Sequence, residues 1–117
     1  PEFQSNAKFR DSIYQIEVTV TGKNATNTAF ECFAYPGLRL CFIVGSFTPL
    51  QTLNAGKTNA YANVDPSYKP IRETALSVAK SGLVDASVWL TDQGELIACA
   101  KYDGINTNVS FAGMWRY

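Results

Sequence analysis

The stretch Phe30-Glu31-Cys32-Phe33-Ala34-Tyr35-Pro36-Gly37-Leu38-Arg39-Leu40-Cys41-Phe42-Ile43-Val44-Gly45 decides the fold. Two runs of aromatic, aliphatic and β-branched residues flank Pro36-Gly37, and such runs read as strands. Proline presets φ at the first central position of a turn, and glycine accepts positive φ at the second. The reading is therefore a hairpin, with strands over 29–35 and 38–45. With Pro36 and Gly37 as its loop, Tyr35 pairs with Leu38, and Cys32 falls directly opposite Cys41. A non-hydrogen-bonded pair of this kind sets Cα atoms about 4.5–5.5 Å apart, which suits a disulfide. A Cys32–Cys41 disulfide is the expectation, with two reduced core thiols on one face as the alternative. The bond implies an oxidising compartment, so the chain is expected to be secreted or periplasmic.

The same hairpin has two apolar faces. Phe30, Cys32, Ala34, Cys41 and Ile43 share one; Phe33, Tyr35, Leu38, Leu40, Phe42 and Val44 share the other. A small barrel needs only its inner face apolar. The outer face is expected to meet a helix, the long loop that follows, or a neighbouring subunit.

Outward from the hairpin, residues 13–21 alternate, with Tyr14, Ile16, Val18 and Val20 on one side. That is a half-buried strand. Residues 46–66 scatter Pro, Gly, Asn and Thr and read as a long irregular loop. Over 68–81 the spacing of Ile71, Ala75, Val78 and Ala79, with Leu76 beside them, predicts a helix. Pro70 falls in its first turn and Gly82 at its C-terminal cap. Val84, Ala86, Val88 and Leu90 alternate again as a fourth strand. Asp92-Gln93-Gly94 turns the chain into a fifth strand over 95–102, and 109–117 reads as a sixth.

Three antiparallel strands, a helix and a hairpin make the order of the five-stranded OB barrel, β1-β2-β3-α-β4-β5, here with an added C-terminal strand. An open α+β sheet with one covering helix fits the same order. Length and helix position favour the barrel: a mainly β chain with one helix. The 117 residues suffice for a single domain over 4–117, with Pro1-Glu2-Phe3 read as a cloning remnant.

Composition narrows the function classes. Ten basic residues balance ten acidic ones. A neutral chain has no electrostatic footprint for nucleic acid, and no apolar run is long enough for membrane insertion. The chain has no histidine, which removes His-based triads and His-ligated metal sites. Cys99 reads as a buried free thiol without a base to activate it. No catalytic residue, metal or cofactor is expected.

The pattern resembles the B subunits of bacterial toxins built from one catalytic A subunit and five B subunits, in the branch of pertussis, typhoid and subtilase toxins. The resemblance rests on the opening strand after Ala7-Lys8-Phe9-Arg10-Asp11-Ser12-Ile13 and the hairpin with one Cys per strand. It extends to a helix from Ser67 to Lys80 that ends in Ser81-Gly82 and runs into Val84–Thr91, and to a Cys-bearing strand near the C-terminus. It implies secretion, an OB fold, a homopentameric ring around the helices, a catalytic A subunit as partner, and binding of a cell-surface glycan. The glycan contacts it implies are Arg10, Asp11 and Ser12 at the first strand, and Tyr35 and Arg39 at the turn between the cysteines. These types suit sugar: carboxylates, hydroxyls and guanidinium groups hydrogen-bond its hydroxyls, and its C–H faces stack on aromatic rings. On a sialylated glycan, Arg10 or Arg39 would meet the carboxylate.

Two other readings compete. One is an OB module that stacks single-stranded nucleic acid on Phe33, Tyr35, Phe42, Trp89 and Trp115, opposed by the neutral charge. The other is a secreted or periplasmic inhibitor or protein-interaction domain.

Overall fold

The computed structural model describes residues 13–20, 25–49, 58–79, 86–100 and 107–117. The central hairpin joins β3 (Ala25–Tyr35) to β4 (Leu40–Pro49). Its connection is not a two-residue turn. Pro36–Leu38 form a single 3-10 turn, and Arg39 closes it in the left-handed region at φ 54°, its N–H donating to the Pro36 carbonyl at 3.1 Å. Proline explains this. Two-residue hairpin loops need positive φ at their first position, which the pyrrolidine ring forbids. With the longer loop, Tyr35 pairs with Leu40, Cys32 with Ile43, and Ala34 with Cys41. The expected direct opposition of Cys32 and Cys41 is therefore not formed, and both thiols are free and buried.

The slip is two residues, an even number, so every side chain keeps its face. Cys32, Ala34, Cys41 and Ile43 point into the core, while Phe33, Tyr35, Leu40 and Phe42 are half-buried outside. Fully burying a side chain such as Ile43 contributes about 1.5–3 kcal/mol.

The hairpin belongs to one curled antiparallel sheet. The segment before it supplies β1 (Tyr14–Gln15) and β2 (Val18–Val20). The others are β5 (Thr58–Val64), β6 (Thr74–Val78), β7 (Ala86–Leu90), β8 (Glu95–Ala100) and β9 (Val109–Arg116). Their spatial order is β1-β3-β4-β9-β6-β7-β8-β5-β2. The two end strands, β1 on β3 and β2 on β5, are successive pieces of one segment. Between them Ile16 is buried, and its N–H donates to the Cys32 carbonyl at 2.8 Å.

Two sequence expectations are corrected here. The described part of 46–66 is not an irregular loop: β4 continues to Pro49, and β5 occupies most of 58–66, while 50–57 lie outside the described residues. Phe47 and Tyr61 within it are core residues, with rings stacked at 4.4 Å. A bulge between Ala60 and Ala62 turns two successive residues, Tyr61 and Ala62, inward, which hides the alternation.

The helix over 68–81 is likewise not formed across its described part. A 3-10 turn at Pro66–Tyr68 is capped by the Asp65 carboxylate, which accepts from the Ser67 N–H at 2.9 Å. Lys69 before Pro70 is extended, as a residue preceding proline prefers. β6 then pairs through Thr74–Leu76 with β7 and through Ser77 and Val78 with β9. Leu76 alone points well inward, while Ala75 and Ser77 are exposed, so the period is two and not 3.6. Two flanking strands with open hydrogen-bonding edges outweigh a weak local helix preference. Without that helix, both the OB order and the open α+β order lose the element they hung on. The architecture is a mainly β, curled antiparallel sheet. The strands over 84–91, 95–102 and 109–117 are present within the described residues, and Gly94 closes the hairpin between β7 and β8 at φ 85°.

Candidate functional site

Alternation that sends Cys32, Ala34 and Ile43 inward sends aromatic rings outward at the loop end of the hairpin. Phe33 lies directly across from Phe42, and their rings stack at 5.3 Å with 27° between planes. Tyr35, the last residue of β3, adds a third ring 5.8 Å from Phe42. Met114 on β9 sits opposite Phe42, and Val44 lies one outward position further along β4. Both are more than half exposed, as is Leu38 on the loop. Cross-strand aromatic pairs of this kind contribute roughly 0.2–1 kcal/mol each to sheet stability. Here they also form a half-buried aromatic ladder on the outer wall.

Arg39 stands beside this ladder. Its left-handed backbone, a region that costs a side-chain-bearing residue about 1 kcal/mol or more, is held by the chain end of β9. The Arg39 Nε donates to the Tyr117 carbonyl at 3.0 Å, and the Tyr117 N–H donates to the Arg39 carbonyl at 3.1 Å. The guanidinium carbon lies 4.6 Å from the Tyr117 ring centroid, a cation–π contact. Tyr68 meets the same ring edge-on at 5.0 Å. The Tyr117 hydroxyl is buried, with no hydrogen-bond partner among the described residues. Burial pushes its phenol up, Cys41 and Tyr68 add to the rise, and Arg39 opposes it.

Of the residues implicated in glycan contact, Tyr35 and Arg39 are thus placed at the two ends of one loop. Arg10, Asp11 and Ser12 lie outside the described residues. Cys32 and Cys41 face the core on the far side of the wall from the ladder. Burial pushes each thiol up to about 12, assisted at Cys41 by the neighbouring Cys32. At neutral pH they stay protonated and poorly nucleophilic.

Sequence reasoning missed a second surface. Ile71, Arg72, Thr74 and Arg116 line one cleft of about 390 Å³. Local spacing singles out neither Arg72 nor Arg116. Only the pairing of the 69–73 segment with the end of β9 brings them together, through the Ile71 N–H donating to the Arg116 carbonyl at 3.0 Å. Elsewhere, Trp89 lines a cleft of about 480 Å³ with Glu73, Val78 and Ser87, where β6 leaves β7 for β9.

Compared with protein-family models, with curated proteins and with solved structures, the chain matches none of them.

Proposed function

We propose that this chain is a glycan-binding domain of the toxin B-subunit kind, secreted and without a catalytic step of its own. In this reading it engages a cell-surface saccharide through the Phe33–Phe42–Tyr35 ladder. One observation carries the reading: Phe42 on the outer wall has ring contacts to both Phe33 and Tyr35, at the end of a hairpin whose loop presents Arg39 and Leu38. Ring faces take the C–H faces of a pyranose, and the hydroxyl of Tyr35 supplies a polar handle at the rim. Individual sites of this kind are weak, and several copies on one assembly gain affinity through effective concentration. Delivery of a catalytic A subunit belongs to the same proposal.

The ring itself rests on different ground. The resemblance builds it around helices, and residues 68–79 form none beyond the short turn at Pro66–Tyr68. A second reading therefore concerns the same outer wall: the exposed Val44 and Met114 favour association with another copy of the chain.

A glycan array tests the first reading. Selective retention of a saccharide class, lost on the order of tenfold in Tyr35→Ala and Phe42→Ser, supports it. Retention of none, or equal retention by both variants, overturns it. Light scattering tests the second. A mass of several times 12.8 kDa supports association, five-fold for the ring, and a strict monomer at high concentration removes it.

A further inference from the structure

Three arginines gather at the end of the sheet that carries the 36–39 loop, and their surroundings differ. Arg39 is engaged: its Nε is bonded to Tyr117, and its plane lies over that ring. Arg72 and Arg116 are exposed, and among the described residues neither guanidinium has an ion pair or a side-chain hydrogen bond. Yet they line the same cleft, of about 390 Å³, together with Thr74 and Ile71. Among the described residues, no acidic side chain shares that lining. Glu73, the carboxylate nearest in sequence, lines the separate Trp89 cleft.

The cleft walls are fixed by hydrogen bonds that do not use the guanidinium groups of Arg72 and Arg116. The Ile71 N–H donates to the Arg116 carbonyl at 3.0 Å, Thr74 Oγ1 donates to the Arg72 carbonyl at 2.9 Å, and Trp115 Nε1 donates to the Tyr68 carbonyl at 2.7 Å. Two like charges thus line one cleft with no counter-charge among the described residues that line it, an arrangement that favours an anion there. Guanidinium forks match a carboxylate's geometry through paired hydrogen bonds. Ile71, 64% exposed, gives the same cleft an apolar wall.

We infer that the Arg72–Arg116 cleft is an anion subsite that takes the carboxylate of a small organic acid, with the acid's apolar end against Ile71. The subsite does not depend on the aromatic ladder binding sugar.

The test is an amide and arginine-Nε NMR titration of the whole chain with sodium hexanoate. Acetate, hexanol and sodium chloride at matched ionic strength run in parallel. Hexanoate is expected to give saturable shifts at Ile71, Arg72, Thr74 and Arg116, acetate weaker ones, and hexanol and chloride none. Arg72→Gln and Arg116→Gln each weaken hexanoate on the order of tenfold, the loss of a charge-assisted bond. Arg72→Lys retains part of the binding, and Ile71→Ser brings hexanoate down to the level of acetate. Both arginines are exposed, so the rest of the spectrum reports an intact fold. Shifts that follow ionic strength in chloride, or that survive in the double glutamine variant, overturn the subsite. Equal binding of acetate and hexanoate overturns the organic-acid assignment.

Discussion

The β3–β4 hairpin and the described part of 68–81 are both partly apolar, and local spacing suggests a class for each. The hairpin keeps its strands and both faces even though its loop is longer than expected, because a two-residue slip leaves side-chain parity unchanged. The later segment changes class altogether. Ile71, Ala75, Val78 and Ala79 make a passable helical stripe on paper, yet Leu76 is the residue that enters the core, and Ile71 stands 64% exposed. Two aromatic and β-branched runs either side of a turn carry their own structural answer. A weak stripe over a dozen residues yields to whichever neighbours need hydrogen-bond partners.

The contrast can be broken most directly at Leu76. As an inward strand residue, Leu76→Ala should cost about 2–5 kcal/mol in urea unfolding. Ile71→Ser should stay within about 0.5 kcal/mol, as surface changes do. A helix over 68–81 would give Ile71 the greater weight, so the reverse ranking would restore it.

The hairpin register is sharpened at Gly45. A Cβ there would meet the Phe30 ring at 2.5 Å and the Ala29 carbonyl and Phe111 ring at 2.9 Å. Gly45→Val should destabilise by about 1–3 kcal/mol. In the register of a two-residue loop, Gly45 would face Thr28 instead of Phe30, and thermal melts of the variant matching those of the parent chain would support that pairing.

Cysteine chemistry probes the same register more gently. With Cys32 facing Ile43, air-purified protein should show three free thiols on denaturation and no mass gain on reduction. A gain of two hydrogens would restore the direct opposition. The folded thiols of Cys32 and Cys41 stand at about 12 against 9.0 for the free group. Their contribution to stability is therefore fully present below about pH 9 and is lost as pH rises toward 12. Melting temperature should fall across that window, and replacing both with Ala should flatten the fall. The smallest effect is expected at Ser77. On an exposed strand position, Ser77→Thr should stabilise by about 0.5 kcal/mol or less, whereas in a helix it brings no gain.

Pro36 carried more information than its reading as a turn former used, since its fixed φ already excludes the two-residue hairpin loops. The core pair Phe47 and Tyr61 was hidden because a bulge at Ala60–Ala62 breaks the alternation that marks a strand. At the candidate site, Tyr35 and its neighbours on the outer face were legible because facing is a local property. The engagement of Arg39 by Tyr117, 78 residues away, was not. The Arg72–Arg116 cleft depends on the same kind of distant pairing, for which neither sequence neighbourhood carries a signal.

β9 lies between β4 and β6 in space but follows the other eight described strands along the chain. During synthesis, the outer edge of β4 and half of β6 therefore wait, unpaired, for Val109–Arg116 to leave the ribosome. A nascent chain stopped before Val109 would carry two open templates for foreign strands, so aggregation should rise sharply for truncations there, and folding of the sheet should be gated by the emergence of β9.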